Sequence, residues 1–269
     1  MSLRHLIVII AMVVLIVTLS YAITMRALGP VPLFKVRRVS EFYLTNAFNP
    51  FNKTISAMTP EVVTSIIWDY RGLDTLFETA VFYLAIIATA MLYRGVIVRR
   101  KTQVGLSLIV KTATKIVVPS IIVIAIAVAL HGHLTPGGGF QGGSIAAVTF
   151  ALILVTFSLY TLNKIGACKE KLLALRSLGL LSLIATSIIV FVMGMLLGIR
   201  AFILQNQAKL VSIIGLPYKM YNFLISGSCF FFNVSEALAV SMAFGLLFIF
   251  ISIFEEDVEE ALKRREEVE

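Results

Sequence analysis

Three ionisable residues, Arg71, Asp74 and Glu78, lie at the start of an apolar stretch of the sequence. Their spacing places them on one face if the segment is helical. Arg71 can then pair with Asp74, while Glu78, one turn further on, remains a titratable carboxylate. Such a carboxylate suits a proton or cation relay. The alternative is that Asp74 and Glu78 complement the helix dipole and that Arg71 reaches lipid phosphate.

Lys111 and Lys115 share a helix face, and Pro119 follows them. Lysines near the end of a span usually extend toward the lipid headgroups, and this is the favoured interpretation. Because proline removes a backbone donor, the helix could instead open at Pro119 and expose carbonyl groups to a watered cavity in which a lysine titrates. Both lysines are therefore candidate ion-translocation residues.

Residues 131–143, HGHLTPGGGFQGG, form the most unusual string in the chain. No predicted strand precedes it and the lysine of a phosphate-binding loop is missing, which argues against a nucleotide site. Glycines four residues apart instead predict close helix packing. The pairs are Gly138 with Gly142, Gly139 with Gly143 and, later in the chain, Gly194 with Gly198.

His131 and His133 would point apart on a helix, so solvated loop histidines are favoured over a metal pair or a proton relay.

A third acidic candidate is Glu236. Asn233 and Glu236 have the spacing of a helix cap, with Asn233 as the N-cap residue, and capping is the favoured interpretation. In the alternative, Glu236 faces inward as a second relay carboxylate. Cys168 and Cys229 are too few and too far apart to indicate a haem, a structural zinc or a disulfide scaffold, and we expect no cofactor or metal.

The elements that carry these residues are predicted to be membrane helices. The chain is 59% hydrophobic and only 14% charged, with a mean hydropathy of +0.96, whereas soluble domains are about 25% charged. Hydropathy predicts spans at roughly 5–25, 75–94, 112–131, 144–163, 173–198 and 233–254. The first is longer than the apolar region of a typical signal peptide and is interpreted as a retained helix. The predicted fold class is therefore all-α, a polytopic membrane bundle of about six transmembrane helices.

Basic residues between the spans predict the orientation. The net charge of +8 is distributed between apolar runs rather than along one face, which argues against nucleic-acid binding. Lysines and arginines at 94–101 and 164–171 both lie in the cytoplasm if the N-terminus does. Six crossings then place the C-terminus there as well. On this topology Cys168 and Cys229 lie on opposite sides of the membrane and cannot pair.

Two segments resemble a known family. Residues 102–257, through HGHLTPGGGFQGG, resemble the B subunit of Mrp (Mnh) multi-subunit sodium/proton antiporters. Residues 66–94, through DYRGLDTLFE at 69–78, resemble the C-terminal end of the A subunit of the same systems. Both are similar to Mrp-type small subunits of archaeal membrane-bound hydrogenase and sulfane reductase complexes. The resemblance strengthens the relay interpretation of Arg71 and Glu78.

The resemblance implies an accessory subunit, not an enzyme, that works with other Mrp-type subunits in the cell membrane. The parent complex is then either a bare antiporter or a respiratory enzyme with redox subunits, and the path carries either sodium or protons. A structural adaptor that docks other subunits through glycine-rich faces is the alternative. The predicted domains are 1–60 (first helix and polar loop, unassigned), 61–101 (A-subunit-like), 102–257 (B-like) and 258–269 (charged cytoplasmic tail).

Overall fold

The computed structural model describes residues 3–25, 36–94, 96, 105–253, 257, 258 and 263. Among these residues, six helices are long and apolar enough to cross a membrane. They confirm the predicted all-α bundle of about six transmembrane helices. The chain divides into two units, residues 1–42 and 43–269.

In chain order, the helices are α1 (Leu3–Thr24), α2 (Arg38–Ala47), α3 (Val62–Thr64), α4 (Gly72–Leu92), α5 (Leu108–His131), α6 (Gly139–Thr156), α7 (Leu159–Lys164), α8 (Lys169–Leu197) and α9 (Ser228–Ile251). A π-helical turn, Ser65–Tyr70, joins α3 to α4. Two short antiparallel strands, β1 (Lys219–Met220) and β2 (Phe223–Leu224), form a hairpin before α9.

The first unit contains α1, whose described side chains are mostly apolar and almost all exposed. Two of its threonine hydroxyls bond to carbonyl oxygens within the helix. The hydroxyls of Thr18 and Thr24 donate to the carbonyl oxygens of Val14 and Ser20, each at 2.8 Å. A helix with satisfied polar groups and an apolar surface meets the requirement for a span in contact with lipid or with another apolar helix.

Helix α9 is the central helix of the second unit. It lies against α6 and α8 along most of its length and also contacts α4 and α5. Its span is 56% buried, against 33% or less for the other five spans. Gly143 of α6 and Gly179 of α8 permit the close approach, because a Cβ atom on either would lie 2.7 Å from a backbone atom of α9.

The N-termini of α4, α6 and α9 lie at the same end of the bundle as the C-termini of α5 and α8. The Thr64 hydroxyl donates to the Gly132 carbonyl oxygen at 2.6 Å, and the Asn206 Nδ2 donates to the Ala57 carbonyl oxygen at 2.9 Å. These contacts connect segments 43–71, 132–138 and 198–227. We name this end, with those three segments, the loop end.

Buried aromatic pairs stabilise both ends of the bundle. At the loop end, the rings of Trp68 and Phe232 are stacked with their centroids 4.4 Å apart. At the opposite end, Tyr93 stacks on Phe250 at 5.2 Å, and the Lys169 ammonium donates to the Tyr93 carbonyl oxygen at 3.1 Å. Each stack contributes about 1 kcal/mol beyond the apolar area that it buries.

Three predicted helix boundaries, in two helices, were wrong. Helix α9 begins at Ser228, after Gly227 with φ of 61°, rather than at 233. Helix α6 begins at Gly139 rather than at 144 and ends at Thr156, because the backbone turns at Ser158, where φ is 138°. The residues predicted to complete that span form the separate helix α7. Helix α5 continues through Pro119 without an interruption, so the proline does not break it.

Several predictions fall on residues outside the described ranges. These include the basic residues at 99–101 and most of the charged tail at 258–269. The membrane orientation and the division into four domains therefore stay predictions. Cys168 precedes α8 at the end opposite the loop end, whereas Cys229 is buried in the first turn of α9. Their placement at opposite ends of the bundle agrees with the predicted topology.

Candidate functional site: two carboxylates on one cavity

A cavity of about 340 Å³ lies near the loop end, where α4, α6 and α9 meet. Two carboxylates line it, Glu78 from α4 and Glu236 from α9. Their polar neighbours in the lining are Thr75, Thr79 and Gln141. The structure therefore brings together two sequence candidates that lie far apart in the chain. Because both belong to membrane spans, the cavity is the strongest candidate site for ion chemistry.

Glu236 is the buried member of the pair. Its side chain is 6% exposed, and its Oε2 accepts a hydrogen bond from the Phe140 amide at 3.1 Å. That amide is in the first turn of α6, where unpaired N–H groups favour a negative charge. Glycine at position 139 makes the approach possible, because a Cβ atom there would lie 2.6 Å from Glu236 Oε2. Asn233, which was expected to cap the helix, lies inside α9, so the favoured capping interpretation was wrong.

Glu78 lines the same cavity and is exposed on the surface of the chain. One turn before it, Arg71 and Asp74 form an ion pair, with Nη2 and Oδ2 2.5 Å apart. This pairing agrees with the prediction that Arg71 engages Asp74 and leaves Glu78 unengaged by it. The side chains of Arg71 and Asp74 are 67% and 59% exposed, so the pair itself contributes little to stability.

The two lysines lie away from the carboxylates. Lys115 is exposed and Lys111 is half-buried, both on the first turns of α5 at the end opposite the loop end. The stem of Lys111 packs over Gly105, where a Cβ atom would lie 2.5 Å from its Cε. This position agrees with the favoured interpretation that they extend toward headgroups. The structure does not place them in the two-carboxylate cavity.

The two histidines differ from each other. His131 is exposed, and its Nδ1 donates to the Ala127 carbonyl oxygen at 3.0 Å. His133 is 3% exposed, and its Nε2 donates to the Leu224 carbonyl oxygen at 2.9 Å. The expectation of a solvated loop residue was therefore wrong for His133, because the hairpin before α9 covers it. Burial lowers the pKa of His133 below its ordinary value of 6.5.

The glycines of the string act mainly inside this chain. Gly139 and Gly143 face α9, whereas Gly142 faces α5, where a Cβ atom would lie 2.7 Å from Ala129 Cβ. These three contacts support the predicted close packing. Gly138 instead precedes α6 as its N-cap, with φ of 148°, so its predicted place on a helix face was wrong.

Gly194 and Gly198 do not pack against another helix within the described part of the chain. Gly194 packs against Ala201 and Ile199 of the loop that follows its own helix. Gly198 ends α8 in the left-handed conformation, with φ of 65°, which glycine adopts most readily. No atom of the described residues lies within 4 Å of a Cβ atom built on Gly198. Their spacing therefore reflects a helix terminus rather than a helix-packing face.

Sequence reasoning missed a buried arginine, Arg176 in α8. It is 2% exposed, its Nη2 donates to the Tyr83 carbonyl oxygen at 2.8 Å, and its Cζ lies 4.4 Å from the centroid of the Tyr83 ring. The signal was available, because an arginine inside an apolar run is rare enough to indicate a role. The arrangement compensates the charge by a cation–π contact and a hydrogen bond.

Sequence reasoning also missed the contacts of Asp69 at the loop end. Its Oδ2 lies 3.9 Å from the Lys209 Nζ, and its side chain is 8% exposed. Burial raises the pKa of Asp69 to about 6, although Lys209 opposes the shift. No local sequence pattern predicts this ion pair, because Lys209 belongs to the loop between α8 and α9. Among the described residues, no group of three or more His, Cys, Asp or Glu side chains could hold a metal ion.

The six spans define a polytopic helical membrane protein, and two carboxylates line a cavity within its bundle. A family model described as a domain related to the MnhB subunit of Na⁺/H⁺ antiporters matches residues 109–246. The chain belongs to this family.

Similar proteins include the B subunit of a Na⁺/H⁺ antiporter from Bacillus subtilis, 34% identical over 87 residues, which are 32% of this chain and 59% of that protein. An uncharacterised protein of Methanocaldococcus jannaschii is 28% identical over 137 residues, which are 44% of this chain and 48% of that protein. The chain thus spans about half the length of the curated relatives that it matches.

Two solved structures share the fold. A chain of the Mrp complex from Dietzia sp. matches with a TM-score of 0.60 and 19% identity, over 94% of this chain and 26% of that one. A chain of the membrane-bound sulfane sulfur reductase, an archaeal respiratory membrane complex, matches with a TM-score of 0.57 and 22% identity, over 93% of this chain and 97% of that one.

Proposed function

We propose that this chain is an accessory integral-membrane subunit of an Mrp-type cation/proton antiporter module and contributes to sodium/proton translocation. The module belongs either to a stand-alone antiporter or to a respiratory complex such as a membrane-bound hydrogenase or sulfane reductase. The observation that carries the proposal is the cavity that Glu78 and Glu236 share inside the spans. Membership of the MnhB-related family supports it.

The chemistry of the proposal is exchange at the two carboxylates. A sodium ion prefers oxygen ligands, and the cavity offers them from Glu78, Glu236 and Gln141. Two carboxylates facing one small cavity repel each other when both are charged, so the pair favours a bound cation or a bound proton. Entry of a sodium ion releases the proton, and return of the proton releases the ion. No redox group is needed in this chain, and in this role it is not itself an enzyme.

The proposed partners are other Mrp-type membrane subunits, joined by redox subunits if the parent complex is respiratory. Glu78 belongs to a span and is exposed on the surface of this chain. A carboxylate that faces lipid at that position costs several kcal/mol, so we expect a neighbouring subunit or water to cover it. Where a neighbouring subunit covers Glu78, the cavity is completed at an interface between subunits.

The proposed location is the cell membrane, with both termini in the cytoplasm and the loop end outside. Orientation rests on the basic residues at the end opposite the loop end, among them Lys111, Lys164 and Lys169. Attaching a reporter that is active only in the cytoplasm to the C-terminus checks this orientation. An inactive C-terminal reporter, with an active one in the 198–227 loop, would reverse it.

The structural-adaptor alternative receives less support. It requires glycine-rich faces that are open to other subunits, but Gly139, Gly142 and Gly143 contact α5 and α9 of the same chain. Substitution of these glycines by leucine should therefore unfold this subunit rather than release it intact from its neighbours. Mass spectrometry of the purified complex tests the partners directly: Mrp-type subunits are expected, and their absence from a stable, intact preparation would overturn the assignment.

Exchange itself is tested with single variants of the purified complex in vesicles. Glu236→Gln and Glu78→Gln should each lower sodium/proton exchange by at least about hundredfold, the order expected for loss of a proton-transfer group. Glu170→Gln is the matched control, because Glu170 is an exposed carboxylate at the end of α8 opposite the loop end. Sodium/proton exchange at the wild-type rate in both cavity variants would contradict the proposal.

A further inference from the structure

We propose that a file of water molecules runs from the loop end past His133 and Asn233 to Glu236 and carries protons to the two-carboxylate cavity. The inference rests on the proposed function, because the water file delivers protons to the cavity where sodium/proton exchange is proposed.

The first observation is the side chain of Asn233 on α9. It is 0% exposed, and neither its Oδ1 nor its Nδ2 has a hydrogen-bond partner within the part of the chain that the structure describes. An unpaired buried polar group costs about 1–3 kcal/mol, and folded proteins satisfy such groups with internal water. Because both the donor and the acceptor of this carboxamide are unpaired, Nδ2 can donate to one water molecule and Oδ1 can accept from another.

Two glycines allow the turn 132–138 to pack closely around this carboxamide. A Cβ atom on Gly132 would lie 2.9 Å from Asn233 Nδ2, and one on Gly138 would lie 3.8 Å from Asn233 Oδ1. The carboxamide is therefore held between the two ends of the turn 132–138, where neither glycine carries a side chain. The Thr64 hydroxyl and the Glu61 amide fix this turn by donating to the carbonyl oxygens of Gly132 and His133 at 2.6 and 3.2 Å.

The second observation is the ring of His133, toward the loop end. Because its Nε2–H donates to the Leu224 carbonyl oxygen, Nδ1 is the acceptor of the neutral ring. That nitrogen is buried and forms no hydrogen bond of ordinary geometry with the described residues. The edge of the ring meets Phe230 with centroids 5.4 Å apart, and Phe230 is one turn before Asn233 on α9. His133 therefore packs against α9 one turn before Asn233.

The third member is Glu236, three residues after Asn233 on α9. Gly139 contacts both residues: a Cβ atom there would overlap the Asn233 carbonyl oxygen and lie 2.6 Å from Glu236 Oε2. The order from the loop end inward is thus His133, Asn233, Glu236 and then the cavity with Glu78. Water bridging these side chains forms a hydrogen-bonded file along which a proton moves by successive transfers.

The test uses the intact complex in vesicles. Asn233→Leu keeps the branched shape of the side chain and replaces both polar atoms by methyl groups, so we expect proton-driven sodium uptake to fall by at least about tenfold. Asn233→Ser keeps a polar group and space for water, and we expect a rate within about threefold of wild type. Ser241→Ala is the control, because Ser241 is buried on the same helix and its hydroxyl donates to the Leu238 carbonyl oxygen.

A second readout reports the water itself. Radiolytic hydroxyl-radical labelling marks buried aromatic rings beside bound water, so Phe230 should be labelled in the wild-type complex and labelled several-fold less in Asn233→Leu. If Asn233→Leu does not assemble, His133→Phe tests the same file and should lower both uptake and labelling.

The outcomes separate the file from the proposed function. If Glu236→Gln abolishes uptake while Asn233→Leu retains wild-type uptake and wild-type labelling of Phe230, the water file is refuted and the proposed function stands. If Glu236→Gln alone leaves uptake unchanged, the claim that the file delivers protons to Glu236 fails, and the proposed function fails as well if Glu78→Gln is also silent.

Discussion

The clearest test of the energetics at the loop end is the substitution Asp69→Asn. The carboxylate of Asp69 is buried and lies 3.9 Å from the ammonium of Lys209, which also donates to the Ser56 carbonyl oxygen at 3.0 Å. Burial raises the pKa of Asp69 to about 6 from the ordinary value of 3.8. Desolvation therefore outweighs the attraction of Lys209, and the charged form destabilises the fold.

The sign of the pH dependence follows from proton binding. Below pH 3.8 the carboxyl group is protonated in both states, so it costs nothing. Between pH 3.8 and about 6 the unfolded chain loses the proton while the folded chain keeps it, so the free energy of unfolding falls as the pH rises. The loss is complete above pH 6 and amounts to about 3 kcal/mol. Asp69→Asn should remove it, stabilising the protein at pH 7.5 by up to about 3 kcal/mol and hardly at all at pH 4.

The assay is denaturant unfolding of the purified chain in detergent, followed by tryptophan fluorescence. Trp68 is the single tryptophan of the chain, is fully buried and adjoins Asp69 in sequence. Asp74→Asn is the matched control, because Asp74 is exposed and its pair with Arg71 is worth less than about 1 kcal/mol. Destabilisation of Asp69→Asn at pH 7.5 would show that the ion pair outweighs the burial and would refute the reasoning.

The remaining predictions concern packing between the spans. Gly143→Ala should cost about 1–3 kcal/mol in the same unfolding assay, because its Cβ would lie 2.7 Å from a carbonyl oxygen of α9. Gly72→Ala should cost nothing measurable, because its Cβ would make only ordinary contact at 3.7 Å. Equal effects would contradict the account of α9 packing. Tyr83→Leu should lower the unfolding midpoint by removing the ring from the buried guanidinium of Arg176, at a cost of about 1–2 kcal/mol. Tyr83→Phe should retain stability, and an equal loss in both variants would show that the hydroxyl, not the ring, matters.

Hydropathy was sufficient to predict the spans, because a stretch of about 20 apolar residues is a local property of the sequence. It was insufficient for the start of α9. Asn233 and Glu236 have cap spacing, but they lie in the second and third turns of a helix that is buried on several sides. A buried helix carries polar residues wherever neighbouring helices pair them, and a local pattern cannot distinguish this from a helix terminus.

The candidate site was likewise predictable from the sequence only in part. The Arg71–Asp74 pair follows from spacing within one helix and was predictable. The shared cavity of Glu78 and Glu236 depends on how α4, α6 and α9 meet, which no local spacing specifies. His133 is similar, because its burial comes from the hairpin before α9, far along the chain. Glycine spacing predicted close contact for Gly139 and Gly143 but could not name the helix that they face.

The central claim is that the two carboxylates of the cavity exchange sodium for protons. It is tested most directly by sodium uptake into vesicles that contain the complex with Glu78→Gln and Glu236→Gln combined, driven by an imposed proton gradient. The account predicts loss of uptake by at least about hundredfold, with the complex still assembled. Uptake at the wild-type rate in that double variant would contradict it.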